Sequence, residues 1–344
     1  MKKIPNGLKI ALIYGSVFLG AGFASGQELF QYFVSFGKVG VLGLMVAGVL
    51  FALTGWAVLR ICRREGLENY HQLMGHLFGK KLGMFMESMV AVFLFCLFIA
   101  MLAGAGATGQ EAFSLPFTFG AALVGAVVFV ILCFGIQGII KVNLLLAPFM
   151  LIGGVFIGLF SFFAHTHPAF AGVGAGMGVA WLFSAIVYAS YNLVTGVPIL
   201  AATAKMVSSK KDAAVGGLVG GAIITFLGLC MALPLFLHHR NIVDLEIPFL
   251  YIVLQHGVTV HIVYLVVLIL AILTTAACNA FGFIQWLNVR SKNKYMPIMI
   301  CLTGVVLAHI GFSNIVKYVY PAFGLLGIFK IIVVLVQGFC YTKP

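Results

Sequence analysis

The sequence predicts an all-α polytopic membrane protein of about ten transmembrane helices, arranged as two inverted sets of five with the first and sixth helices broken. Three observations lead there. Hydrophobic residues make up 62% of the 344 and charged residues only 8%, with a mean hydropathy of +1.15, far from the composition of a soluble domain. At about 20 residues for a ~30 Å hydrocarbon core plus short loops, the length holds about ten spans and leaves no room for a separate soluble domain, so residues 1–344 read as one transmembrane domain. Finally, glycine-rich and proline-containing interruptions fall inside the first and the sixth of these spans.

The first span, about residues 7–36, would be roughly 45 Å long as a continuous helix, more than the bilayer core needs. Its middle reads Gly20-Ala21-Gly22-Phe23-Ala24-Ser25-Gly26-Gln27-Glu28. Each glycine weakens a helix by about 1 kcal/mol relative to alanine, and a glutamate near the centre of an isolated span costs about 2.5–3.5 kcal/mol. Irregular backbone at membrane depth must be enclosed by protein or line a cavity. The stretch is therefore a binding-site candidate. Met1-Lys2-Lys3 before an apolar run imitates a signal peptide with a cleavage region at 21–24, but the run stays apolar to Phe36 and reads as a retained first span.

The second span, about 39–62, returns to a basic loop, 63–81, that has the pattern of a short amphipathic helix. The third, about 82–112, carries Glu87, the small-residue run 103–107 and a second Gly-Gln-Glu ending at Glu111; both acids read as structural, Glu87 as a partner for a cytoplasmic lysine and Glu111 as interfacial. The fourth covers about 119–136, and Lys141 opens the fifth, which ends near 163. After a Gly/Ala/Pro/His loop at 165–177, the sixth span runs over about 178–204 and is expected to break at 188–198. The seventh, 213–237, begins with the overlapping pairs Gly216/Gly220 and Gly217/Gly221, the spacing of close helix packing, within the protein or between copies. A short segment at 244–255 with Pro248 near its start reads as an interfacial helix, and the last spans cover about 258–289, 295–310 and 314–339.

The net charge of +12 is concentrated in alternate loops: Arg60, Arg63, Arg64, Lys80 and Lys81, then Lys205, Lys210 and Lys211, then Arg290, Lys292 and Lys294. That is the positive-inside pattern of a cell-membrane protein with both termini cytoplasmic, and it needs no nucleic-acid partner. Lys330 is expected to snorkel to the cytoplasmic surface. The seven cysteines lack disulfide-framework or zinc spacing. His165, His167, His238, His239 and His256 are scattered without acidic or thiol partners and read as loop residues rather than a metal site. No nucleophile–base pair lies within the spans, so an enzyme is not expected.

Five is odd, so two sets of five spans enter the membrane from opposite sides. Laying Gly22-Phe23-Ala24-Ser25-Gly26 over Asn192-Leu193-Val194-Thr195-Gly196 ends both segments on Ser/Thr-Gly. Interruptions at matching positions of two inverted repeats, here about 7–163 and 177–339, mark the binding site of secondary transporters.

The nonamer 20–28 resembles the signature of the YkvI-like amino-acid permease family within the amino acid–polyamine–organocation superfamily. The superfamily shares a Gly-x-Gly break in its first helix, and span number and loop layout extend the likeness to the whole chain. The resemblance implies a LeuT-type fold and secondary transport of an amino acid or related amine. It also implies a sodium site: Gly20 and Phe23 fit the two first-helix carbonyls, and Ala271, Thr274 and Thr275 fit the carbonyl and two hydroxyls of the eighth helix. Independently, those last three lie at i, i+3 and i+4 on one face, which Cys278 and Gly282 extend, although membrane threonines also commonly bond their own helix. Some relatives replace sodium with a lysine inside the fifth helix. Here Lys141 stands only at its cytoplasmic start, which favours sodium.

For the solute, the half-helix from Ser25-Gly26 offers backbone N–H groups to a carboxylate, with Ala21, Gly22 and Ala24 beside it. The second break offers carbonyls, Asn192, Thr195, Tyr188 and Tyr191 to an ammonium group; the last two and Asn192 cannot all face one way. Glu28 either faces the outward vestibule or buries against the sixth span, as a functional acid or as a helix-end charge. The expected function is sodium-coupled symport of a small molecule by alternating access, with no cofactor beyond Na⁺, membrane lipid as a partner and no nucleic acid. The alternatives are a proton-coupled or exchange transporter, or a sensor or channel of the same fold. Solute identity, direction and oligomeric state are open.

Overall fold

The computed structural model describes residues 5–18, 20–134, 155–156, 158–160, 163, 178–288 and 295–340, and all regular structure among them is helical. Among the described residues six helices are long and apolar enough to cross a membrane, making this a multi-pass membrane protein. The first segment comes as three short pieces, α1 (Asn6–Val17), α2 (Ala21–Ala24) and α3 (Gln27–Tyr32). Then follow α4 (Lys38–Glu65), α5 (Tyr70–Phe113), α6 (Phe117–Cys133) and α7 (Ala180–Thr203). The last set is α8 (Lys210–Leu237), α9 (Pro248–Leu254), α10 (Val258–Asn288), α11 (Met296–Leu307) and α12 (Phe312–Cys340). Lys141 and the loop 165–177 lie outside the described residues.

The break in the first segment follows from its glycines. Gly26 sits at φ 80°, a left-handed conformation that L-residues other than glycine resist, and α3 restarts from it. α5 absorbs the expected amphipathic helix of the basic loop: its first turns bury Leu73, Met74 and Leu77, and Gly79 at φ 71° then bends the chain into the long apolar span.

α1, α4 and α8 form one packed group, and the glycine pairs of α8 make it. A side chain at Gly217 would strike the backbone of Trp56, one at Gly221 would strike Ala52, and one at Gly220 would meet Tyr14. These pairs therefore serve packing within the chain. On the other side α5 lies along α10 and α6, while α12 is laid against α7 and α4.

Two expectations are corrected here. The sixth span is not broken: α7 runs as one helix through 188–198 with Pro198 inside it. The one carbonyl the proline leaves without its helical donor, that of Val194, accepts from Lys330 Nζ (3.2 Å), while Asn192 Nδ2 and Thr195 Oγ1 add donors to the carbonyls of Tyr188 (3.0 Å) and Asn192 (2.9 Å). That is how membrane helices keep a proline without unwinding. Lys330 accordingly points inward and is 1% exposed, because it serves that carbonyl rather than the surface. The segment after Asp244 forms α9, which buries Phe249, Leu250, Ile252 and Val253, and the Phe249 N–H donates to the Ser25 carbonyl (2.9 Å), so α9 packs against the first break.

Candidate functional site

A cavity of about 450 Å³ opens at the break between α1 and α3, walled by α5, α7, α10 and α12. Its polar lining includes Glu28, Tyr191, Asn192, Thr195, Thr274 and Thr275, and the glycines Gly20 and Gly22 form its backbone edge. One cavity thus collects the first break, the matching stretch of α7 and the threonine face of α10.

Glu28 is 8% exposed. Its carboxylate folds back over Gly22, where any side chain would collide with Oε1, and Oε2 accepts a hydrogen bond from Tyr191 Oη at 2.7 Å. Glu28 therefore buries against α7, and the absence of a Cβ at Gly22 makes room for it. Among the described lining residues there is no Lys, Arg or His. Beside the carboxylate stand three aromatic rings, Tyr191, Tyr320 and Phe93, with centroids 4.9 Å (Tyr191–Tyr320), 5.8 Å (Phe93–Tyr320) and 6.2 Å (Phe93–Tyr191) apart. A lone carboxylate among aromatic faces is suited to a cationic group.

The remaining candidates take other positions. Tyr188 turns away into a ring cluster with Phe33 (4.7 Å) and Tyr32 (5.5 Å), so of the three residues Tyr188, Tyr191 and Asn192 it is Tyr191 and Asn192 that reach the cavity. Ser25 bridges the break: its Oγ donates to the Gly22 carbonyl (3.0 Å) and accepts from the Gln27 N–H (3.2 Å). It staples α2 to α3. Gly26 packs on Leu235, and Ala24 offers its carbonyl to Tyr264 Oη (3.1 Å); Ala21 lies in α2. Glu87 pairs with His71 (2.7 Å) instead of a lysine, because the bend at Gly79 folds the first turns of α5 back over its apolar span. Glu111, at the other end of α5, accepts from the Glu246 N–H (3.1 Å).

Of the five sodium candidates, Gly20, Thr274 and Thr275 line the cavity, with Gly20 packed toward Thr275, whereas Phe23 and Ala271 stand behind it. The carbonyls of the break carry protein donors: Gly20 from the Ala24 N–H (2.9 Å) and Phe23 from the Gly26 N–H (3.2 Å). Thr274 Oγ1 donates to the carbonyls of Leu270 (3.0 Å) and Ala271 (3.1 Å), the usual bond of a membrane threonine to its own helix.

Sequence reasoning missed two polar lining residues. Among the described residues, Asn279, 8% exposed, has no hydrogen-bond partner for its Nδ2, and Tyr320, fully buried, has none for its hydroxyl. Asn279 was detectable, since it stands four residues after Thr275 on the same face of an otherwise apolar helix. Nothing local marks Tyr320 or Phe93.

No protein-family model matches the chain. Among curated proteins it is 28% identical over 325 residues to a Bacillus subtilis (strain 168) protein described as uncharacterized membrane protein YkvI, covering 92% of this chain and 91% of that one. It is 26% identical over 333 residues to the uncharacterized protein YyaD of the same organism, covering 94% of each. Among solved structures it superposes on two variants of a manganese transporter from Eremococcus coleocola, with TM-scores of 0.59 and 0.57, identities of 12% and 14%, and 95% of this chain covered. Those matches take in 78% and 77% of the transporter chains. This chain shares its fold with a transporter. On that fold the break at Gly20–Gly26, the α10 threonines and Glu28 meet at one cavity, and among the described residues no group of three His, Cys, Asp or Glu side chains gathers anywhere.

Proposed function

We propose that this chain is a secondary active transporter of a small organic solute, an amino acid or related amine, held in the cavity at the first break by its ammonium group. The observation that carries this reading is the Glu28 carboxylate, folded onto Gly22 and bonded to Tyr191, in a cavity whose lining includes aromatic rings and no basic side chain. A carboxylate at that place stands where the anionic end of a solute was expected, so the ammonium end is the one the site reads. The whole-chain arrangement in this reading is LeuT-type, ten spans as inverted halves of five, with both termini cytoplasmic and alternating access around the cavity. The relatives' membrane character and the transporter fold support it.

Sodium is the proposed coupling ion, with Thr275 and Thr274 hydroxyls and the Gly20, Phe23 and Ala271 carbonyls as ligands. Each carbonyl keeps a second lone pair beyond its present donor, and rotation of Thr274 about χ1 would free its oxygen. Proton coupling through Glu28 is the second reading, favoured by the placement of that one acid in the cavity wall. Manganese, the cargo of the fold neighbour, fits the donor set poorly: one carboxylate and one thiol, Cys278, are the charged or soft ligands at hand.

The test is uptake into proteoliposomes of a labelled panel of amino acids and simple amines, with imposed Na⁺ or proton gradients and with Mn²⁺ as a further cargo. Accumulation of an ammonium-bearing solute driven by Na⁺ supports the proposal. Accumulation driven only by protons selects the second reading, and Mn²⁺ uptake without any organic solute overturns the solute class.

A further inference from the structure

α7 contains Pro198 and still runs unbroken from Ala180 to Thr203. Proline has no N–H, so the carbonyl four residues earlier, that of Val194, loses its helical donor. In a membrane bundle an unpaired carbonyl is expensive, and helices normally bend there unless another group serves it. Here the Lys330 Nζ of α12 donates to the Val194 carbonyl at 3.2 Å.

Lys330 is otherwise hard to explain. It is 1% exposed, and no carboxylate pairs with it among the described residues. Its other neighbours are neutral: the Tyr70 hydroxyl at 3.4 Å and the Tyr70 ring at 5.1 Å from its centroid. An ammonium held between a helix carbonyl and an aromatic face is stabilised by both. The approach of α12 to α7 is built for it. A side chain at Gly327 would press on Ser190 and Val194, one at Gly324 would press on Val187, and Ser190 Oγ donates to the Gly324 carbonyl at 2.6 Å. Beyond Val194, the residues Tyr191, Asn192, Thr195 and Pro198 are cavity wall, while Lys330 is not.

We propose that Lys330 is a positioning residue: its ammonium replaces the donor missing at Pro198, holds the cavity-forming stretch of α7 helical, and ties it to the start of α5 through Tyr70. α7 is a latched hinge, closed while Lys330 reaches Val194 and open at 194–198 when it withdraws. The consequence for solute binding rests on the cavity being the transport site; the latch itself does not.

Hydrogen–deuterium exchange of peptides spanning 190–203, on the full chain in nanodiscs, tests it without any solute. Lys330→Met should speed exchange there about tenfold or more, and Lys330→Arg, which keeps a cationic donor, should restore slow exchange. In Pro198→Ala the Val194 carbonyl regains an N–H, so adding Lys330→Met should change exchange by less than about threefold. Equal acceleration in both backgrounds, or none in either, overturns the proposal. Should Lys330→Met alone not fold, recovery of folded protein in the Pro198→Ala background supports it, and failure in both backgrounds overturns it.

Discussion

Tyr191 on α7 donates its hydroxyl to Glu28 on α3 at 2.7 Å, joining the two halves of the chain across the cavity they enclose. The bond ties the short half-helix after the first break to a helix that stays whole. A carboxylate so placed, over Gly22 and next to Tyr320 and Phe93, is the only acidic side chain among the described residues of the cavity wall. Any cation entering must compete with Tyr191 or join it.

Glu28→Gln tests that role. The amide still accepts from Tyr191 and keeps the packing over Gly22, but it loses the charge. A hydrogen bond to a charged partner contributes about 1.5–3 kcal/mol, so affinity for an ammonium solute should fall roughly 10- to 150-fold. Equilibrium binding of the transported amine to purified protein measures it, and melting temperature should not fall, because a buried charge has been removed.

Gly22→Ala should disturb the same contact from the backbone side. The new methyl meets the Glu28 carboxylate, an overpacking that costs about 1–3 kcal/mol. Thermal unfolding in detergent should drop by several degrees. In a Glu28→Ala background the same substitution should be nearly neutral, since the colliding group is gone.

The helical membrane fold and its first break were legible because they rest on local terms: hydropathy, the 20-residue span and glycine's backbone freedom at Gly26. The same logic misjudged α7. Gly196 and Pro198 look like a second break, but the donor that repairs Val194 comes from Lys330, far along the chain, and no local pattern announces it. For the same reason Lys330 reads as a snorkelling surface lysine. At the cavity the glycines, Glu28 and the α10 threonines share a sequence signal, whereas Phe93 and Tyr320 reach it through packing of α5 and α12. The split between Tyr188 and Tyr191 depends on helix rotation within the bundle, which short-range pattern leaves open.

Asn279 and Tyr320 carry a prediction with two opposite signs. Both present a buried polar atom without a partner at the cavity wall, and an unpaired buried group costs about 1–3 kcal/mol. Asn279→Leu and Tyr320→Phe should therefore leave the empty protein as stable or more stable by thermal unfolding. Each should also weaken binding of the transported solute about tenfold, if its polar part is what completes them. A loss of stability with unchanged affinity would assign these groups to the scaffold.

The threonine pair separates coupling from folding. Thr274 Oγ1 bonds the carbonyls of Leu270 and Ala271 in its own helix, so its removal leaves the backbone bonds of α10 intact. Thr274→Ala with Thr275→Ala should change melting temperature little, by less than about 1 kcal/mol of stability. In sodium coupling, two of the proposed hydroxyl ligands are lost and uptake should no longer respond to a Na⁺ gradient. Glu28 is untouched by this pair, so a proton-driven protein would keep its gradient dependence in the double variant and lose it in Glu28→Gln. Uptake measured in proteoliposomes under separate Na⁺ and proton gradients for both variants therefore assigns the driving ion to one end of the cavity or the other.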